Sequence, residues 1–199
     1  MLLFGIFLAV LFWMLLFCLK IVNFWAGMSL ATFLLAALAV LDRRRRLRLD
    51  FKASSLFWAS AIILALYLIF WVGNWLVATF LGQLAPQIGD IYGLKHQGRD
   101  LFIALGLLFV IGPGEEIFWR GYLQESLMER WGPATGYFLA TALYTLVHLW
   151  SGNFMLVLAA GVAGAAWGLV YWRFRNLWPG IISHAVWDVL AFVILPYWR

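Results

Sequence analysis

Seven stretches of the chain approach the about 20 mostly apolar residues that cross a bilayer as a helix: 2–19, 23–41, 54–81, 101–124, 133–150, 154–172 and 178–196. The third is long and free of charge, which predicts a tilted helix or one that emerges into the interface. The fourth is interrupted by Gly112-Pro113-Gly114, where Pro113 lacks an N–H and disfavours a straight helix. Broken helices are tolerated at membrane depth where they face protein or a wet cavity. In the sixth, small residues recur from Ala159 to Gly168, a pattern that predicts close helix packing. Together the segments predict an all-α fold: a polytopic transmembrane helix bundle of about seven spans, forming a single integral membrane domain over 1–199. Residues 1–81 supply its N-terminal spans and 101–196 a four-helix core.

Composition removes the soluble alternative. The chain is 65% hydrophobic and 12% charged, whereas a soluble domain carries roughly a quarter charged residues. Phe, Trp and Tyr make up 19%, as expected of aromatic belts at lipid–water boundaries. No basic residue precedes the apolar stretch Met1 to Leu19, and Lys20 follows it, so it reads as a first span rather than a signal peptide. Cys18 is the only cysteine and permits no intrachain disulfide.

The formal net charge of +5 is unevenly placed, with Arg43, Arg44, Arg45, Arg46, Arg48 and Lys52 in one short stretch. Between two apolar segments, such a run fits a cytoplasmic loop under the positive-inside bias, not a nucleic-acid site. With that loop inside, the N-terminus is cytoplasmic, and Arg130, Arg173 and Arg175 fall on the same side. Lys20, Lys95, Arg99 and Arg199 fall outside, as does the longest connection, about 82–100. Economy of soluble surface points to a prokaryotic plasma membrane.

Ionisable residues inside spans are the candidate chemistry, because each costs at least ~2.5–3.5 kcal/mol at a helix centre on insertion scales. The first three spans hold no acidic residue or histidine, whereas the later ones hold a cluster. Glu115 and Glu116 follow Gly112-Pro113-Gly114 and, on a helix, point about 100° apart. Arg120 shares a face with Glu116 in the favourable acid-before-base order. Glu116 and Arg120 are thus expected to neutralise each other, leaving Glu115 as a general base. Tyr144 and His148 share a face, as do His184 and Asp188, so each histidine has a potential orienting partner one turn away.

Glu-Glu-x-x-x-Arg over Glu115–Arg120, then Tyr-x-x-x-His over Tyr144–His148, then His-x-x-x-Asp over His184–Asp188, resembles the CPBP (ABI) family. That family includes type II CAAX prenyl endopeptidases and bacteriocin-processing enzymes, and the resemblance covers roughly residues 101–196. It implies an intramembrane protease of the glutamate type, with Glu115 and His148 activating a water. It further implies that His184 and the residue at Asp188 support the oxyanion, and that Glu116 and Arg120 are structural or charge-balancing. Asp188 stands where the family also has Asn. Asn donates to an oxyanion and an ionised Asp does not, so Asp188 is expected to orient His184. No cofactor is expected. Zinc has a donor set of the right type, but the His-Glu-x-x-His helix of zincins is missing.

The expected partners are a polypeptide substrate at the membrane and the lipid bilayer. Two other classes use the same residues: a proton-coupled transporter or channel with the ionisable groups as a relay, and a non-catalytic membrane scaffold. A protease needs Glu115, His148 and His184 around one site, whereas a relay strings them across the bilayer. On straight helices rising about 1.5 Å per residue, His148 lies late in its span and His184 early in another. The two are then at different depths unless helices are broken, tilted or re-entrant.

Overall fold

The computed structural model describes residues 1–42 and 46–197. Arg43, Arg44 and Arg45 of the basic run, and Arg199, lie outside the described residues. Among the described residues the architecture is helical throughout, without strands. The helices are α1 Leu2–Leu19, α2 Phe24–Leu41, α3 Ala53–Phe80, α4 Ala85–Gly93, α5 Asp100–Trp131, α6 Pro133–Val147, α7 Phe154–Phe174 and α8 Trp178–Ile194. Helices α1, α2, α3, α5 and α7 are long and apolar enough to cross a membrane, and α8 is a shorter apolar helix. The chain is an all-α, multi-pass integral membrane protein. Residues such as Phe7, Phe33, Leu64 and Leu68, all more than half exposed, supply its lipid-facing surface.

Helix starts and stops follow local chemistry. The side chains of Asn23 and Asn153 accept from the N–H groups of Ala26 (3.1 Å) and Leu156 (2.9 Å), capping α2 and α7. Gly132, with φ at +88°, turns the chain sharply between α5 and α6, and Pro133 opens α6 without losing a helical hydrogen bond. The connection at 82–100 is not an open loop. It holds α4, which packs on α7 and is tied to its start by a hydrogen bond from Asn153 Nδ2 to Gln87 O (2.7 Å).

Helix α5 organises the bundle. It runs unbroken for 32 residues through Gly112-Pro113-Gly114, so the interruption predicted there is a change of pitch. Its hydrogen bonding widens to π-helical turns over Leu107–Ile111 and Glu116–Gln124. Such turns absorb the N–H that Pro113 lacks without breaking the helix. Glycine at 112 also lets α8 approach, because a Cβ there would lie 2.9 Å from Ala185 Cα. One buried cluster joins α1, α2, α5 and α6 through Trp13, Leu35, Phe118 and Leu123, among others. A second joins α3 and α7 through Ile62, Leu66, Ala163 and Trp167.

The two ends of the bundle differ in charge. At one end, the segment after the basic run lies against the α7–α8 turn: Leu177 N–H donates to Arg48 O (2.9 Å) and Asn176 Nδ2 to Asp50 O (2.6 Å). Buried Glu125 meets Arg175 (2.7 Å) and Arg48 (3.3 Å) there. Lys95 and Asp100 pair at the other end (3.4 Å), near the bond from Asn23 Nδ2 to Gln97 O (2.6 Å).

Candidate active site

A cavity of about 330 Å³ lies within the bundle, with residues of every helix from α1 to α8 in its wall. Most of its wall is apolar, with Met28, Ile69, Ile88 and Phe192 as examples. Glu115, Tyr144, His148, His184 and Asp188 all line it. The two histidines therefore share one chamber despite their positions in sequence. Helix α6 is only 15 residues long. It ends in a tight 3₁₀ turn, His148–Ser151, so His148 marks where α6 stops, with the chain turning back into α7.

Glu115 is buried and accepts a hydrogen bond from the Tyr144 hydroxyl on Oε2 (2.7 Å). Glu116, one residue on, points elsewhere. Its Oε1 meets both Arg120 Nη1 (3.0 Å) and His184 Nδ1 (2.9 Å). Arg120 also donates to Gly164 O (3.2 Å), and its guanidinium lies 4.6 Å from the Tyr144 ring centroid. His184 is stacked on Trp167, with centroids 3.6 Å apart and planes at 13°. Its Nε2 faces Asp188 Oδ2 at 3.5 Å. His184 thus sits between two carboxylates, and an imidazolium donating from both nitrogens would satisfy both.

His148 is held differently. Its Nδ1 lies 2.7 Å from Tyr144 O, and Trp13 Nε1 donates to its Nε2 at 3.2 Å. Tyr144 therefore serves both halves of the site, its hydroxyl on Glu115 and its carbonyl on His148. The spacing of Tyr144 and His148 was legible in the sequence, but the hydroxyl's partner was not. Arg120 and His184 share Glu116, which ties α5 to α8 through a group read from sequence only as Arg120's counter-ion.

Several supporting residues gave no sequence signal of their own. The small residues of α7 do more than allow close packing. Gly164 and Gly168 present backbone carbonyls to Arg120 and to Gln124 Nε2 (2.8 Å). A Cβ at Gly164 would lie 2.7 Å from the Tyr144 ring. Trp13 belongs to a helix of uniform apolarity. At the cavity rim, Tyr92 donates to Ala191 O (2.8 Å) and accepts from Tyr197 N–H (3.2 Å). Burial pushes the Tyr92 phenol up to about 12, so at neutral pH it remains a donor. Among the described residues, no group of three or more His, Cys, Asp or Glu side chains is disposed to hold a metal ion.

No curated protein and no solved structure matches the chain. A family model does: that of the Rce1-like family, type II CAAX prenyl endopeptidase Rce1-like, over residues 97–190. The matched stretch contains Glu115, Glu116, Arg120, His148, His184 and Asp188 and runs from just before α5 into α8. It is the kind of family to which the three motifs pointed, and it implies a protease acting on a polypeptide at the membrane. Residues 97–190 are thus similar to the Rce1-like type II CAAX prenyl endopeptidases, a likeness that takes in α5 to α8 and supports a CAAX-type intramembrane protease.

Proposed function

We propose that the protein hydrolyses a peptide bond of a membrane-associated polypeptide with a water activated by Glu115 and His148. The observation that carries this reading is the shared cavity, whose wall the two residues form together with His184 and Asp188. A proton relay across the bilayer would need these groups strung along its depth. With Tyr144 on one oxygen of Glu115, the other oxygen is left to take a proton from water. The resulting hydroxide adds to the scissile carbonyl, and the proton held by Glu115 then passes to the leaving amine as the C–N bond breaks. His148 faces the same chamber as a neutral imidazole, and its Nε2 lone pair, which accepts from Trp13 (3.2 Å), serves the water when that hydrogen bond is exchanged.

His184 stabilises the tetrahedral oxyanion by donating an N–H, the role in which a preorganised donor is worth most. Glu116 fixes the ring from Nδ1 (2.9 Å), and Asp188 stands beside Nε2 (3.5 Å), the nitrogen that would turn to the oxyanion. Arg120 offsets the charge of Glu116. The reaction needs no metal in this scheme, since the carboxylates and imidazoles are already engaged with one another and with Tyr144, Trp13 and Arg120. Metal analysis of active protein should find no stoichiometric zinc. Activity that is lost on chelation and restored by zinc would replace this scheme.

We place the basic end of the bundle, with Arg48 and Arg175, in the cytoplasm of a prokaryotic cell. The N-terminus then lies on that side as well. The function can be tested with the substrate still unidentified. Protein termini are compared between cells carrying the wild type and cells carrying Glu115→Ala, with both proteins folded and equally abundant. New termini are expected only with the wild type, because loss of a general base costs about 10²–10⁴-fold in rate. Identical termini in the two cells would remove Glu115 from the mechanism.

A further inference from the structure

We infer that Trp13, on α1 and outside the matched domain, is a positioning residue that fixes the rotation of the His148 ring and keeps its Nε2 unprotonated. The inference deepens the proposed hydrolytic function and rests on that reading for its catalytic half. An indole N–H can only donate and a carbonyl oxygen can only accept. Trp13 Nε1 at 3.2 Å from Nε2, with Tyr144 O at 2.7 Å from Nδ1, therefore defines the ring as neutral, protonated on Nδ1 and unprotonated on Nε2. Tyr144 O alone would suit a doubly protonated ring equally well. The indole is the group that selects against it and fixes the ring's rotation.

Trp13 is built into place. It is fully buried and meets Trp119 edge-on, with centroids 5.8 Å apart and planes at 89°. Trp119 meets Tyr144 (5.2 Å, 83°), Tyr144 meets His148 (5.0 Å, 60°), and His148 closes the ring of contacts onto Trp13 (5.8 Å, 77°). Directly after Trp13, α1 widens into a π-helical segment, Met14–Leu19, which also brings Phe17 to 6.0 Å from His148. Local π-helical turns re-aim side chains in this way and often mark functional sites. Helix α1 is thus part of the site, although it carries no ionisable group between Leu2 and Phe17.

The test reads the contact and its consequence separately. In full-length protein with 15N-labelled histidine and tryptophan, His148 should show a protonated Nδ1 and an unprotonated Nε2 correlated with the Trp13 indole N–H. Trp13→Phe keeps the aromatic bulk and removes the donor, so the Nε2 resonance should move toward that of a free lone pair. With a peptide identified by the comparison of termini, kcat should fall roughly tenfold, the scale of one lost hydrogen bond, with KM little changed. A protonated Nε2 in the wild type, an unmoved resonance in Trp13→Phe, or an unchanged kcat overturns the inference. If Trp13→Phe does not fold, the wild-type correlation alone decides the contact. If Glu115→Ala leaves all termini unchanged, the hydrolytic reading falls, while the nitrogen spectra still decide whether Trp13 holds His148.

Discussion

Helices α3 and α5 are both long apolar rods, of 28 and 32 residues, with mean hydropathies of 2.2 and 1.8 over their most apolar windows. Their surroundings differ far more than those values suggest. Only 17% of the α3 window is buried, against 44% for α5. Helix α3 lies at the edge and turns Leu64, Leu68 and Trp71 outward. Helix α5 lies between α2, α6, α7 and α8, and it buries Glu115, Glu116, Arg120, Gln124 and Glu125. Mean hydropathy reports whether a helix is compatible with lipid, whereas enclosure decides whether its polar groups can keep partners. Each buried charge described on α5 has such a partner, supplied by α6, α7, α8 or α5 itself.

The contrast is broken most directly at Arg120. Arg120→Ala should be the most damaging of the substitutions considered, because it leaves Glu116 buried without its guanidinium and removes the side-chain donor to Gly164 O. Breaking one partner of a buried pair costs about 3–5 kcal/mol. Thermal unfolding in detergent should show a large fall in Tm or no folded protein. A Tm within a degree of wild type would mean that the Glu116–Arg120 pair has no more structural weight than the lipid-facing side of α3.

Gly164→Ala sharpens the comparison at a lower energy. The added methyl would meet the Tyr144 ring at 2.7 Å, and that ring is already packed against Trp119 and His148. Overpacking of this kind costs about 1–3 kcal/mol. The α6–α7 contact should loosen, and Tyr144 should lose its alignment on Glu115. Proteolytic activity should therefore fall by more than the loss of Tm alone would produce. Parallel measurement of Tm and turnover checks this, and a variant with wild-type values for both would show that α7 tolerates bulk at that position.

Much of this arrangement was legible in the sequence because it rests on local periodicity. Apolar length located the membrane helices, and i,i+4 spacing paired Glu116 with Arg120 and Tyr144 with His148. The remainder depends on contacts between distant segments. Nothing within α1 distinguishes Trp13 from its neighbours, and it reaches His148 only because α1 packs against the end of α6. The acceptors for Arg120 and Gln124 are backbone carbonyls of glycines, which have no side-chain chemistry to read. Pro113 suggested a break because the rule for proline assumes α-helical pitch, whereas α5 changes pitch on both sides of it. The depth conflict between His148 and His184 assumes straight full-length spans, whereas α6 has only 15 residues and α8 is a shorter apolar helix.

The smallest effect belongs to the outer face of α3. Leu64 is 61% exposed and Leu68 51%, and both are contiguous with other exposed apolar residues such as Ile69 and Trp71. Lipid chains are as apolar as leucine, so truncation there removes little protein packing and exposes no surface to water. Leu64→Ala and Leu68→Ala should each change stability by no more than about 0.5 kcal/mol, and turnover should not change. Leu66 lies between them in sequence but is only 1% exposed, packed with Ala163 and Trp167, the ring on which His184 stacks. A loss of stability at Leu64 or Leu68 would therefore place a protein partner against α3. Unchanged values would assign that face to lipid and confine the link between α3 and the candidate site to its inward side.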